Sequence, residues 1–314
     1  MLLPLPLPPP RPFDVTAVGE NSIDLVAVVD GHPAANSKVE MRDFARLPGG
    51  ETATAAVALA RVGRRVRYVG RVGDDEFGHL GLASLRDAGV EVGAVVVVPG
   101  ATSRFAIILV DPAAGHRTVI WHLDPAVRLV PADVPDTALA DARVVLLNSQ
   151  DPPAMADIAE RARRAGARTV LDVEQVRPEV ERLLRATDVV IAADGFATAF
   201  TGVNAPGAAL AALQDASGAA VVCVTLGEEG SLARAGGREI RTPAFPVEVV
   251  DPTGAGDAFR AGFIAGWLTL GETAPLEDVL RWANGMAALN CRALGARAGC
   301  PTTAEVLALL DRPM

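Results

Sequence analysis

The chain has 314 residues, 50% of them hydrophobic and only 4% aromatic, with a formal net charge of −9. That length allows a core built mostly of Ala, Val and Leu, in one large domain with an appendage or in two equal ones. The acidic balance speaks against a nucleic-acid partner, and no stretch reaches transmembrane length without charges or helix breakers.

Met1 to Pro12 is apolar but carries six prolines, with Arg11 after the apolar run. A signal peptide needs the reverse order and an unbroken apolar segment, so a disordered tail is expected. From Phe13 onward strands and helices alternate. Val15–Gly19 reads as a short buried strand, Glu51–Val62 as an Ala/Val-rich helix, Val66–Gly70 as a strand and Asp75–Ala88 as a second helix. Continuous apolar runs follow at 144–147, 169–172, 189–191 and 220–225, the pattern of strands covered on both faces. Helical segments at 154–165, 178–186 and 205–216 separate them. These βαβ units predict a doubly wound, mostly parallel sheet with helices on both faces and ligands outside the C-terminal strand ends. Two segments, Ile23–Arg46 and Ser103–Leu129, instead alternate as short strands do. They predict a small β-sheet lid that closes over a substrate, serves as a dimer contact, or does both.

The most informative stretch is Val250-Asp251-Pro252-Thr253-Gly254-Ala255-Gly256-Asp257-Ala258-Phe259. Two glycines around an alanine let three consecutive amides approach a ligand, and the helix expected over Ala258–Leu270 points its positive end the same way. Asp257 in that first turn repels phosphate, but it suits a group that takes a proton from something attacking the phosphate. The helix start is expected to keep it ionised. Lys38 is the only lysine and no G-x-x-x-x-G-K-[ST] string exists, so P-loop and protein-kinase chemistry are excluded. Phosphate transfer here must rest on backbone amides, a metal ion and an arginine. Cys223, Cys291 and Cys300 are widely spaced without a C-x-x-C, which predicts buried thiols in a reducing, cytoplasmic compartment. His32, His79, His116 and His122 have no metal-ligand spacing.

Three further glycine turns precede this stretch in order: Pro48-Gly49-Gly50-Glu51-Thr52-Ala53-Thr54-Ala55, Gly70 through Gly78, and Thr225-Leu226-Gly227-Glu228-Glu229-Gly230. With them the chain resembles the ribokinase-like (PfkB-type) carbohydrate kinases from about Phe13 to Pro301. The N-terminal signature of that family is similar to Gly49 through Gly78, and the C-terminal one to Asp251–Asp257. The resemblance implies an α/β sandwich with a small β lid and ATP- and Mg²⁺-dependent phosphorylation of a hydroxyl; a homodimer formed through the lid is expected. It makes Asp257 the base, and Gly254, Ala255 and Gly256 the anion hole. It sets Thr225, Gly227, Glu228 and Gly230 by the nucleotide phosphates and Asn284 by the adenosine. Asp24, Gly49, Gly50, Thr54 and Arg104 fall to the sugar, and Asp251 and Thr253 to a monovalent cation such as K⁺.

The chain departs from the family pattern in places. Thr54 stands where an Asn is common, and Ala193-Asp194-Gly195-Phe196 replaces the N-x-x-E motif linked to Mg²⁺, leaving Asp194, Glu228 or water for the metal. Asp172-Val173-Glu174 with Arg177-Pro178 resembles the ketohexokinase branch. Ala53–Ala55 and Gly295–Gly299 resemble kinases of sulfonated ketoses. Arg104 and Arg117 reach towards substrate from the lid or stand as solvated edge-strand charges. A ketose or related monosaccharide is the expected acceptor. A nucleoside kinase of the same fold, and a non-catalytic sugar- or nucleotide-binding regulator, remain as alternatives.

Overall fold

The structure, a computed structural model, describes residues 1–111 and 116–311, and His116 by its backbone alone. The His116 side chain and the lid stretch 112–115 therefore lie outside the described residues. In chain order the first half runs β1 (Phe13–Val18), β2 (Ser22–Val28), β3 (Asp43–Gly49), α1 (Glu51–Arg61), β4 (Val66–Val69), β5 (Arg71–Gly73), α2 (Glu76–Asp87), β6 (Val96–Val98), β7 (Phe105–Asp111) and β8 (His116–His122). Then come α3 (Asp136–Ala140), β9 (Ala142–Leu147), α4 (Pro152–Arg164), β10 (Arg168–Val173), α5 (Val180–Arg185), β11 (Val189–Ala192), α6 (Phe196–Thr201) and α7 (Pro206–Ser217). The chain closes with β12 (Val221–Thr225), β13 (Ser231–Ala235), β14 (Arg238–Thr242), α8 (Ala255–Leu270), α9 (Leu276–Asn290) and α10 (Thr303–Leu310).

Eight strands form the main sheet in the order β14-β13-β12-β11-β10-β9-β1-β4, parallel from β12 to β4 and antiparallel at the β14 edge. Alternate residues of each strand enter opposite cores, as the two-residue period of a strand requires. Val144, Leu146, Val189 and Ile191 face a core shared with α1, α8 and α9. Val145, Leu147, Val190 and Val222 face the other, with α4, α5 and α7. Both faces are covered, which is why these strands read as unbroken apolar runs. The three cysteines are buried and free.

The small sheet has the order β3-β2-β7-β8. Its outer pairs are antiparallel, whereas β2 and β7, brought together from the two inserted segments, pair in parallel. One face points at the ends of the main strands. On the other, Phe44, Ile107 and Ile120 stand 52%, 41% and 56% exposed.

The proline-rich start departs from the expected disorder. Leu3, Leu5 and Leu7 are buried in the core shared by α1, α8 and α9. The Leu3 amide donates to Ala274 O, Leu276 donates to Met1 O, and Arg168 and Arg143 donate to Pro6 O and Pro8 O. Every second residue is a leucine between prolines, so an extended strap with one apolar edge satisfies its own burial without a helix or a sheet. Leu3→Ala and Leu5→Ala should each cost about 2–4 kcal/mol and lower Tm in a thermal melt. An unchanged Tm in both variants would restore the disordered tail.

Candidate active site

The main sheet changes direction between β9 and β1, the crevice where open α/β sheets bind ligands. The loops leaving these strands and β10 supply Glu20, Ser149, Gln150 and Glu174 to a cavity of about 390 Å³. The small sheet roofs it with Asp24, Ala106, Ile108, Val119 and Trp121, and the head of α8 supplies Gly254, Gly256 and Asp257. A second cavity of about 510 Å³ opens on the far side of that same helix head. It is lined by Gly227, Glu228, Phe245, Ala255 and Asn284, and Pro252 lines both cavities.

The turn between them is built by constraint. Gly254 has φ +77°, and a β-carbon there would collide with the Ala296 carbonyl, so only glycine closes the turn unstrained. Of the three amides expected to face a ligand, that of Ala255 donates to Pro252 O at 3.2 Å. Among the described residues no backbone hydrogen bond engages the amides of Gly254, Gly256 and Asp257, which are left free at the positive end of a 16-residue helix.

Asp257 is buried, and its carboxyl is pushed well above the ordinary carboxylate range. Burial is the main cause, the neighbouring Asp172 carboxylate adds to it, and Arg260 opposes both. The hold that the helix start was expected to have on this charge is opposed from several sides. Lost solvation and three further acids oppose the ionisation that the helix start favours. Asp257 also has a cation near it, one turn on along α8. Around the cavity Glu20 is raised to about 8, by burial first and then by Glu51, against the pull of Arg104.

The small-sheet residues fall out unevenly. Asp24 is buried on the cavity wall and accepts from Ser22 Oγ at 2.9 Å. Arg104 is held against Glu20 at 2.8 Å with its guanidinium 4.8 Å from the Trp121 ring centre. With a side chain only 12% exposed it is no solvated edge charge. Arg117, by contrast, is exposed where it lines the cavity. Gly50 reaches the cavity wall. Gly49 instead turns its carbonyl to buried Arg297, which also holds Asn21 Oδ1 at 2.8 Å. Thr54 is fully buried beside the same arginine, 3.4 Å from its Nε, and lines neither cavity. On the second cavity Asn284 donates to Ser231 Oγ at 3.1 Å and to Thr242 O at 3.3 Å, which ties α9 to β13 and β14. Thr225 and Gly230 line neither cavity; Gly230 closes the turn through Gly227 O at 3.1 Å.

Asp251 accepts from Thr253 N at 2.9 Å and from Gly295 N at 2.8 Å. Beside it Thr253 Oγ1 and Asn290 Oδ1 are buried without a hydrogen-bond partner among the described residues. No group of three or more acids, histidines or cysteines among the described residues is arranged to hold a metal. Asp194 is exposed and lines neither cavity, whereas Glu228 lines the second. Sequence reasoning passed over Glu20, Glu51 and Arg260. Glu20 carried a usable signal, since it lies two residues beyond the C-terminal end of β1. Arg260 carried the helical spacing of three from Asp257. Glu51 meets Glu20 only through tertiary contact.

A family model described as pfkB family carbohydrate kinase matches residues 13–303. Ribokinase of Bacillus subtilis (strain 168) is 30% identical over 301 residues, covering 95% of this chain and 99% of that one. The ATP-dependent ribose-1-phosphate kinase of Halopiger xanaduensis is 32% identical over 306 residues, covering 95% and 98%. Among solved structures, Arabidopsis thaliana ribokinase complexed with ribose and ATP superposes with a TM-score of 0.84 at 25% identity, covering 96% and 99%. No helix among the described residues is long and apolar enough to cross a membrane.

Proposed function

The chain belongs to the pfkB family of carbohydrate kinases, and from that premise we propose that it transfers the terminal phosphate of ATP to a hydroxyl of a monosaccharide. One observation carries the reading: the head of α8 stands between two cavities, with Gly256 and Asp257 on one wall and Ala255 on the other. A nucleotide seated by Gly227, Glu228 and Asn284 sends its phosphates across the free amides towards an acceptor beneath the small sheet. The relatives that act on ribose and ribose 1-phosphate support a sugar in that position.

The residues divide the work. The amides of Gly256 and Asp257, aided by the helix dipole, stabilise charge as it develops on the transferring phosphoryl oxygens. Asp24 accepts an acceptor hydroxyl, fixing the sugar, while Arg104, anchored by Glu20, closes the wall over it. Asp257 takes the proton from the attacking hydroxyl. Its raised proton affinity makes it a stronger base than an exposed carboxylate once ionised. Trp121, Ala106 and Ile108 exclude water that would otherwise accept the phosphate.

Mg²⁺ retains several waters and binds mainly through nucleotide phosphates, so it needs no three-ligand cage of the kind that is lacking among the described residues. Glu228 would help hold the ion there, and it would supply neutralisation of phosphate charge. The orphaned oxygens of Thr253 and Asn290, next to Asp251, suit a monovalent cation. We also assign the outer face of the small sheet, with Phe44, Ile107 and Ile120, to contact with a second copy of the chain. Phe44→Asp should then lower the mass seen by sedimentation to that of one chain; a monomeric wild type would remove the assignment.

The reaction is tested by ADP release over ribose, fructose, their phosphates and a set of nucleosides. The expected result is release that depends on a sugar. In Asp24→Asn the KM for that sugar should rise about 10–100-fold while KM for ATP stays put, since a charged hydrogen bond is worth about 1.5–3 kcal/mol. Release with nucleosides alone would move the acceptor class, and no acceptor-dependent release at all would leave a binding protein.

A further inference from the structure

Arg260 lies one helical turn beyond Asp257 and lines neither cavity. It is 2% exposed, on the sheet-facing side of α8. Two things hold its guanidinium. Asp172, at the end of β10, meets Nη2 at 2.5 Å. Gly256 lies against Nη1 so closely that a β-carbon there would collide with it. The contact with Asp172 is a close buried ion pair, and Nε has no hydrogen-bonded acceptor among the described residues.

Packing alone does not call for this arrangement. Buried ion pairs are commonly matched or bettered in stability by apolar side chains of similar volume, and an unsatisfied guanidinium N–H group adds a further cost. The position of the charge accounts for it better. Residues three apart on a helix share a face, which puts Arg260 beside Asp257. Asp257 is faced by Asp172 from β10, Glu174 from the loop after it, and Glu51 from α1. From the C-terminal segment it is also faced by Arg297 and Cys300. Three acids therefore crowd the carboxylate, and Arg260 is the arginine that shares its helix and its face.

We propose that Arg260 is a positioning residue for phosphate transfer: clamped between Asp172 and Gly256 beneath the anion-binding turn, it fixes that turn and balances the charge of Asp257. The proposal rests on the reading of Asp257 as the base.

The geometry gives opposite signs for two neighbouring substitutions. Arg260→Met removes the cation that favours the carboxylate, so Asp257 ionises at higher pH. Asp172→Asn removes a carboxylate that opposes it and leaves Arg260 undivided, so Asp257 ionises at lower pH. A residue that only supported the fold would give no such pair of signs.

The test is a ¹³C titration of the Asp257 carboxyl in the full chain, its signal identified by its loss in Asp257→Asn, run beside kcat–pH profiles. The midpoint should rise by about 1–3 pH units in Arg260→Met and fall in Asp172→Asn, with the acid limb of kcat following each. Arg260→Lys keeps the charge and should shift it less; with Asp172→Asn it still supplies the sign if the Met variant does not fold. An unmoved midpoint, or shifts of the same sign in both variants, overturns the proposal. The carboxyl signal does not depend on turnover. A wild type that transfers no phosphate would sink the assigned reaction, while the midpoints would still judge Arg260.

Discussion

A carboxylate taken out of water at the start of a helix is the constraint on which the rest of this site depends. Helix starts favour negative charge, which is what an anion-binding turn requires. Asp257 sits in that field, yet burial and its acidic neighbours raise its proton affinity instead. The outcome is a group that the proposed chemistry can use, since a base with an ordinary carboxylate pKa gains little from a sugar hydroxyl. It also needs a sheet behind it. The parallel strands deliver Asp172 and Glu174 from one strand end and Glu20 from another, so the acids converge because the strand ends do.

The same helix joins the two halves of the site to the outer parts of the fold. α8 packs along α9 and under α1, and Ala274 of the loop between α8 and α9, with Leu276 at the start of α9, receives the proline strap. Leu3, Leu5 and Leu7 enter the core that includes Phe259, Phe263 and Trp267 of α8. The N-terminal segment thus buttresses the far end of the element whose near end forms the turn. Arg297 does a comparable job on the other side: fully enclosed, it ties the C-terminal segment to Asn21 and Gly49 at the root of the small sheet.

Much of this was legible before the structure. Unbroken apolar runs marked strands covered on both faces, and the two alternating inserts marked the small sheet. The Gly254–Asp257 turn marked the helix head that stands between the two cavities, because paired glycines opening a helix leave amides free for an anion and the acid behind them suits a proton acceptor. What stayed hidden depended on distance along the chain. Leu3 and Ala274 meet across the whole sequence, and nothing local says that a proline-rich start has a place to lie. Thr54 and Asn284 stand at positions that the resemblance assigns to ligands, yet their side chains turn inward to Arg297, Ser231 and the Thr242 carbonyl. Spacing locates a residue on an element; only packing decides which neighbour takes its hydrogen bonds. The raised proton affinity of Asp257 stayed hidden for the same reason, since Asp172, Glu174, Glu51 and Arg297 all come from other elements.

The role of that carboxylate is tested most directly by Asp257→Asn, with turnover, nucleotide affinity and Tm measured on one preparation. The side chain keeps its shape and loses the ability to take a proton. Turnover should fall about 10²–10⁴-fold, nucleotide should bind as well or more tightly because a negative charge beside the phosphates is gone, and Tm should hold or rise as a buried acid is removed. An Asn variant that turns over near the wild-type rate would contradict a base at this position and, with it, the phosphate transfer assigned to the turn.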